Sequence, residues 1–286
     1  MTGRQIRKKM LKIVKIEWFY KKMEKLNHKS KFNIPFCGNQ KLKTLILRVT
    51  KDVELNTLLK MSNITAIDRL GHNDHGPTHI KIVANSGLRI LRILIKKGIV
   101  PNMVKDYKFQ NEDAEVVVVL SAILHDIGHA VHRKEHELLS AIFSEKIIER
   151  LLDGLYKEEK KVIVKFEALH GIYSHEPDVR PTTLEGGIIK VADALDMEKG
   201  RARIPYQAGS VNIHSLSATA IEKVEISEGK ERPVKIVIYM SNPAGIFQVD
   251  ELLKQKVKTS GIAEFLIIEA KLLERGREKL LKSFKF

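Results

Sequence analysis

Nine of the 11 histidines in this 286-residue chain fall between His72 and His175. Neutral imidazole is the commonest protein ligand for transition metals, so histidines gathered on helical segments point to a metal site. The sharpest pattern is Leu124-His125-Asp126-Ile127-Gly128, at the polar end of the apolar run from Val116 to Leu124. Neighbouring helix residues point about 100° apart, so an imidazole and a carboxylate there can reach one metal from two sides. Such a mixed nitrogen and oxygen set suits Mn, Fe, Ni, Zn or Mg better than a sulfur-loving ion. Taken alone, a His-Asp pair serves equally well to cap a helix.

Two other segments add donors. Between Asp68 and Val83, Gly76-Pro77 stops the preceding chain and opens a helix with His79 in its first turn. From Ile188 to Met197 the pattern is an apolar helix carrying Asp193 and Asp196 on one face. An acidic group in such a helix is costly to bury unless it is paired or ligated.

Together these segments resemble the HD superfamily of metal-dependent phosphohydrolases, over roughly residues 65–205. The resemblance implies that His79, His125, Asp126 and Asp193 ligate one divalent metal inside a helical bundle. Histidines that hold a second metal in many members match His136, His170 and His175, with Asp126 as the bridge. Either His170 or His175 reads equally well as a helix-end residue. The implied cofactor is one or two divalent ions, which lower the pKa of bound water and polarise a phosphoryl oxygen. The phosphoryl charge calls for cationic donors, and Lys199, Arg201 and Arg203 follow the Asp193 helix. That stretch resembles the segment after the last Asp in ribonuclease Y-like members, which assigns Arg201 and Arg203 to phosphate contact. Solvated surface charge is the plainer alternative for them. Asp126 and His129 complete the expected catalytic set, while His72, His75 and His132 line the pocket, orient ligands or sit on solvated faces.

The implied substrate is a phosphate ester of a nucleotide or RNA. His125 to His129 also resembles the HDxGH stretch of deoxynucleotide triphosphohydrolases, whose downstream pattern is not reproduced. A bundle that binds a nucleotide without cleaving it, and signals through its C-terminal module, is the third reading.

These residues need helices to position them. Leu42, Leu45, Ile46, Val49 and Val53 recur at helical spacing, as do Ile82, Val83, Leu88, Leu91 and Leu94 before Gly98. Val116 to Leu124 is apolar all round, as in a helix at the middle of a bundle. Beyond about residue 205, Glu222–Ser227 and Val234–Met240 alternate around a turn, Val249–Val257 is helix-like, and Phe265–Ala270 is strand-like. The expected fold is mainly α. A basic arm spans residues 1–40, an HD-type helical metal-binding domain 41–205, and a smaller α+β module 206–286.

The net charge of +15 is uneven: residues 1–50 hold 14 Lys and Arg against 2 Glu. That segment reads as a basic helix, either a solvated cap or a contact for nucleic acid or an acidic membrane surface. The C-terminal module would suit a homodimer contact as well as RNA or small-molecule binding. One cysteine, Cys37, leaves no intramolecular disulfide, and the basic N-terminal residues alternate too closely for the apolar stretch of a secretory signal. No apolar stretch approaches the roughly 20 residues of a membrane span. A cytoplasmic location is expected. Abundant Lys, Glu, Ile and Val suit a thermophile or archaeal chain.

Overall fold

The computed structural model describes residues 33–199, 217–274 and 277–285. Residues 1–32 of the arm expected over residues 1–40, together with Arg201 and Arg203, lie outside the described residues. Among the described residues, eight α-helices precede the sheet: α1 (Gln40–Lys51), α2 (Val53–Asn63), α3 (Pro77–Lys96), α4 (Asn102–Tyr107), α5 (Asn111–Leu124), α6 (His136–Leu151), α7 (Glu158–Tyr173) and α8 (Leu184–Ala194). Local chemistry sets several of their starts. Asn39 and Asp52 cap α1 and α2 by accepting from the backbone N–H of Leu42 and Leu55. Pro77 occupies the first turn of α3, where its missing N–H costs nothing.

The apolar run becomes α5, with every residue from Val116 to Leu124 buried. Helices α1, α3, α7 and α8 pack around it, as expected for a helix that is hydrophobic on all sides. Because α5 is the axis of the bundle, the residues at its C-terminal end are held by every layer around them. Among the described residues, no helix is long and apolar enough to cross a membrane.

The C-terminal part is a four-stranded sheet in the order β1 (Ile221–Glu228), β2 (Val234–Met240), β3 (Leu266–Glu274) and β4 (Arg277–Lys285). The pairs β1–β2 and β3–β4 are antiparallel, while β2–β3 is parallel. A parallel pair needs a crossover. Here it consists of a π-helical turn Gln248–Leu253 running into α9 (Lys254–Thr259). Strands β1 and β2 lie against α3, and α9 lies against α8. The fold is a helical bundle with a small α+β module, and the sheet carries one strand more than the alternation predicts. Strand β4 was hidden because Arg277–Lys285 is a charged edge, exposed from Glu278 to Ser283.

Candidate metal centre

Five helix ends meet at one end of the bundle. His79 stands in the first turn of α3 and His136 begins α6. His125 and Asp126 follow the last residue of α5, His175 lies two residues past α7, and Asp193 is in the last turn of α8. A short 3-10 turn, Ile127–Ala130, carries His129 and joins the α5 end to the approach to α6.

Asp126 sits between two groups of donors. Its Oδ2 lies 3.2 Å from His79 Nε2 and 3.4 Å from His125 Nε2. Those two nitrogens are 3.1 Å apart, and Asp193 Oδ1 is 3.2 and 3.7 Å from them. On the other side, Asp126 Oδ1 lies 3.4 Å from His136 Nε2, 3.5 Å from His129 Nε2 and 3.9 Å from His175 Nε2. His136 and His175 Nε2 are 3.3 Å apart, and Glu176 Oε1 is 3.3 and 3.7 Å from them.

The rings are aimed by their other nitrogen. The Nδ1–H groups of His125, His136 and His175 donate to the carbonyls of Ala122, Arg133 and Ile172, each three residues back. A carbonyl can only accept, so Nδ1 carries the hydrogen and Nε2 is left to face the centre. His79 is oriented differently, by Asp196 Oδ2 at 2.6 Å from its Nδ1. Such carboxylate–histidine pairing fixes the tautomer and raises the basicity of a metal-ligating ring. Asp196→Asn is therefore expected to weaken divalent-metal affinity about 10–100-fold while leaving the melting temperature near wild type. Calorimetric Mn²⁺ titration checks this, and an unchanged affinity contradicts it.

The donor set fits divalent cations. Bonds of about 2.0–2.2 Å place neighbouring ligands of one ion about 2.8–3.6 Å apart at tetrahedral or octahedral angles, close to most of the separations above. His129 supplies a second observation: it is fully buried, yet among the described residues neither ring nitrogen has a hydrogen-bond partner, Nε2 lying 3.5 Å from Asp126 Oδ1. Among the described residues, the groups that could hold an ion include His79, His125 and Asp193; His125, Asp126 and His175; His136, His175 and Glu176; and His75, Asp126 and His129.

Electrostatics point the same way. Burial opposes charge on Asp126, but His125 and His75 outweigh it and hold the carboxyl well below its usual range. Burial also disfavours the His125 imidazolium, and Asp126 and Asp193 overcome it, pushing that ring up to about 9. A metal needs the neutral ring, so in the metal-free protein it must displace a proton below that value. Metal affinity is expected to climb by up to about tenfold per pH unit toward pH 9 and then to level off, with protons released on binding. A flat affinity between about pH 6.5 and 9 would contradict this.

Three expectations need correction. His170 does not join the cluster: its Nε2 accepts from the Thr182 backbone N–H at 3.2 Å, tying α7 to the turn before α8. Asp193 and Asp196 do not share a helical face, because α8 ends at Ala194 and the chain turns Asp196 toward His79. Lys199 pairs with Glu222 at the surface instead of facing the centre. Conversely, His75 is drawn in, its Nδ1 2.6 Å from Asp126 Oδ2. Glu176, next to His175, and Lys256, whose Nζ is 2.5 Å from Asp193 Oδ2, also belong to the site. Adjacency to a ligand was the available signal for Glu176; the local sequence holds none for Lys256.

Comparison with known proteins supplies the family. A model of the HD domain matches residues 78–198, a span that contains His79, His125, Asp126, His136, His175 and Asp193. An uncharacterized protein of the archaeon Methanocaldococcus jannaschii is 51% identical over 222 residues, 78% of this chain and 86% of that protein. The chain belongs to the HD domain family. HD domains are generally those of metal-dependent phosphohydrolases. A ribonuclease Y of Syntrophomonas wolfei is 36% identical over 94 residues, 32% of this chain and 16% of that protein. No solved structure matches. The HD match stops before the C-terminal sheet, so Lys256 enters the centre from outside the matched span.

Proposed function

We propose that this HD protein hydrolyses phosphate esters of nucleotides or RNA at a centre of two divalent cations. His79, His125, Asp126 and Asp193 hold one cation, and Asp126, His136, His175 and Glu176 the other. The observation that carries the reading is the division of Asp126: its two carboxylate oxygens face two separate sets of imidazoles and carboxylates. Bound there, the cations supply an activated water and a charge clamp on the phosphoryl group. The protein's part is to hold the donors rigidly and to manage protons. Burial holds the His129 ring below its ordinary pKa, so it is neutral at pH 7. Its Nε2, 3.5 Å from Asp126 Oδ1, is the group placed to take up or return a proton.

The nucleotide or RNA assignment rests on the similarity of 94 residues to a ribonuclease Y and on the basic residues 1–50, suited to a phosphate backbone. The test is a screen of the Mn-loaded protein, with Asp126→Ala as control. Substrates are bis-p-nitrophenyl phosphate, nucleoside mono- and triphosphates, and single-stranded RNA. Turnover of RNA or monophosphates, absent in the control, is the expected result. Cleavage confined to triphosphates would replace this reading with a triphosphohydrolase. Tight nucleotide binding without turnover would make the protein a regulator.

A further inference from the structure

Lys256 is the one cation among the described residues that reaches a carboxylate of the centre from the C-terminal module. Its Nζ is 2.5 Å from Asp193 Oδ2, while Asp193 Oδ1 faces His79 and His125. The side chains of His79, His125 and Asp126 are 0–3% exposed, but those of Asp193 and Lys256 are 14% and 16% exposed. Lys256 therefore stands on a solvent-reached part of the centre, as does Glu176 of the other donor set at 31% exposed.

Its position is built, not incidental. Lys256 lies on α9, within the crossover of the parallel pair. Gly187 of α8 lets this segment approach: a Cβ there would sit 2.4 Å from the Ser260 carbonyl oxygen. Thr259 Oγ1 donates to the Pro177 carbonyl, in the loop just past His175 and Glu176. The buried Lys190 ammonium binds the same carbonyl and that of Val179. The loop just past His175 and Glu176 and the segment bearing Lys256 are thus braced together.

We propose that Lys256 positions the substrate's phosphoryl group, held on Asp193 in the metal-free centre and released to a non-bridging phosphoryl oxygen once a cation draws on that carboxylate. This rests on the two-cation reading above. One carboxylate charge cannot fully compensate both an ammonium and a divalent ion. Four methylenes give the lysine the reach to change partners, and its three donors rotate to suit a tetrahedral anion. The module is thereby part of the binding site for the anion.

The role predicts opposite effects on two ligands. In Lys256→Met, which keeps the stem, Mn²⁺ affinity measured by calorimetry should tighten about fivefold, because a competing cation is gone. Inorganic phosphate binding to the Mn-loaded variant should weaken about tenfold or more, the scale of a lost charge-assisted hydrogen bond. Lys256→Arg should keep phosphate affinity within about threefold of wild type. Lys254→Gln, removing a charge that faces Asp250 in the π-helical turn before α9, should change neither. If Lys256→Met leaves both affinities unchanged, or weakens both together, Lys256 is only a structural tie and the proposal falls. An Arg variant as weak as the Met variant overturns it too. Wild-type protein that binds no divalent metal would instead sink the metal-centre reading itself.

Discussion

Asp126→Asn is expected to abolish paired metal binding and to cut kcat/KM by more than about 100-fold, beyond the 10–100-fold that a partner outside the ligand set costs. The asparagine keeps the shape and removes the charge on which both donor groups converge. The fold has a way to absorb that loss. His125 is raised to about 9 against burial by Asp126 and Asp193, and without the Asp126 charge its proton is held less tightly. A neutral buried imidazole then replaces a buried ion pair, and the variant should remain folded. Metal analysis should show at most one ion per chain, against two in wild type, with the melting temperature little changed. A variant that retains two ions would remove Asp126 from the bridging position. His170→Ala offers the contrast: because its Nε2 engages the Thr182 backbone and not the cluster, metal content and activity should match wild type.

Gly128→Ala should be the most damaging of the small substitutions near the centre. A Cβ at Gly128 would lie 2.2 Å from the His136 carbonyl oxygen and 2.8 Å from the Ser140 backbone nitrogen. Both obstacles are backbone, so relief requires the start of α6 to move away from the 3-10 turn. The Gly128 N–H also donates to Ser140 Oγ at 2.8 Å, a bond that such a shift would break. Overpacking costs about 1–3 kcal/mol, and this contact belongs at the upper end. His136 moves with the helix it begins, so the second donor group opens while His79, His125 and Asp193 stay in place. The expected outcome is a clear fall in melting temperature with one ion retained. Two ions bound at wild-type stability would show that α6 can shift without cost.

The parts of the centre that could be read from the sequence are those fixed by helix ends. Gly76-Pro77 marks the start of α3 and so places His79, and the apolar run marks the end of α5 and so places His125 and Asp126. Helix periodicity could not decide between His170 and His175, because the choice depends on where α7 stops. It stops at Tyr173, which leaves His170 facing Thr182 and swings His175 inward. Asp196 was visible as an acid in an apolar segment, but its partner is 117 residues away at His79. Lys256 was illegible for a stronger reason: nothing near it resembles a site, and only the parallel crossover between β2 and β3 brings it to Asp193. The glycine of the His-Asp-Ile-Gly stretch gains its reason from the structure, as the point where the 3-10 turn meets the backbone of α6.

The convergence of five helix ends also makes the cations ligands of the folded state. The donors come from separate helices, with 46 residues between His79 and His125 and 39 between His136 and His175, so an unfolded chain cannot gather them. Whatever binds the native chain alone stabilises it by mass action, by about 2.7 kcal/mol at a free concentration a hundredfold above Kd. On the proposed function, free divalent metal then sets the population of folded chains as well as the fraction that is active, and chelation is expected to lower both.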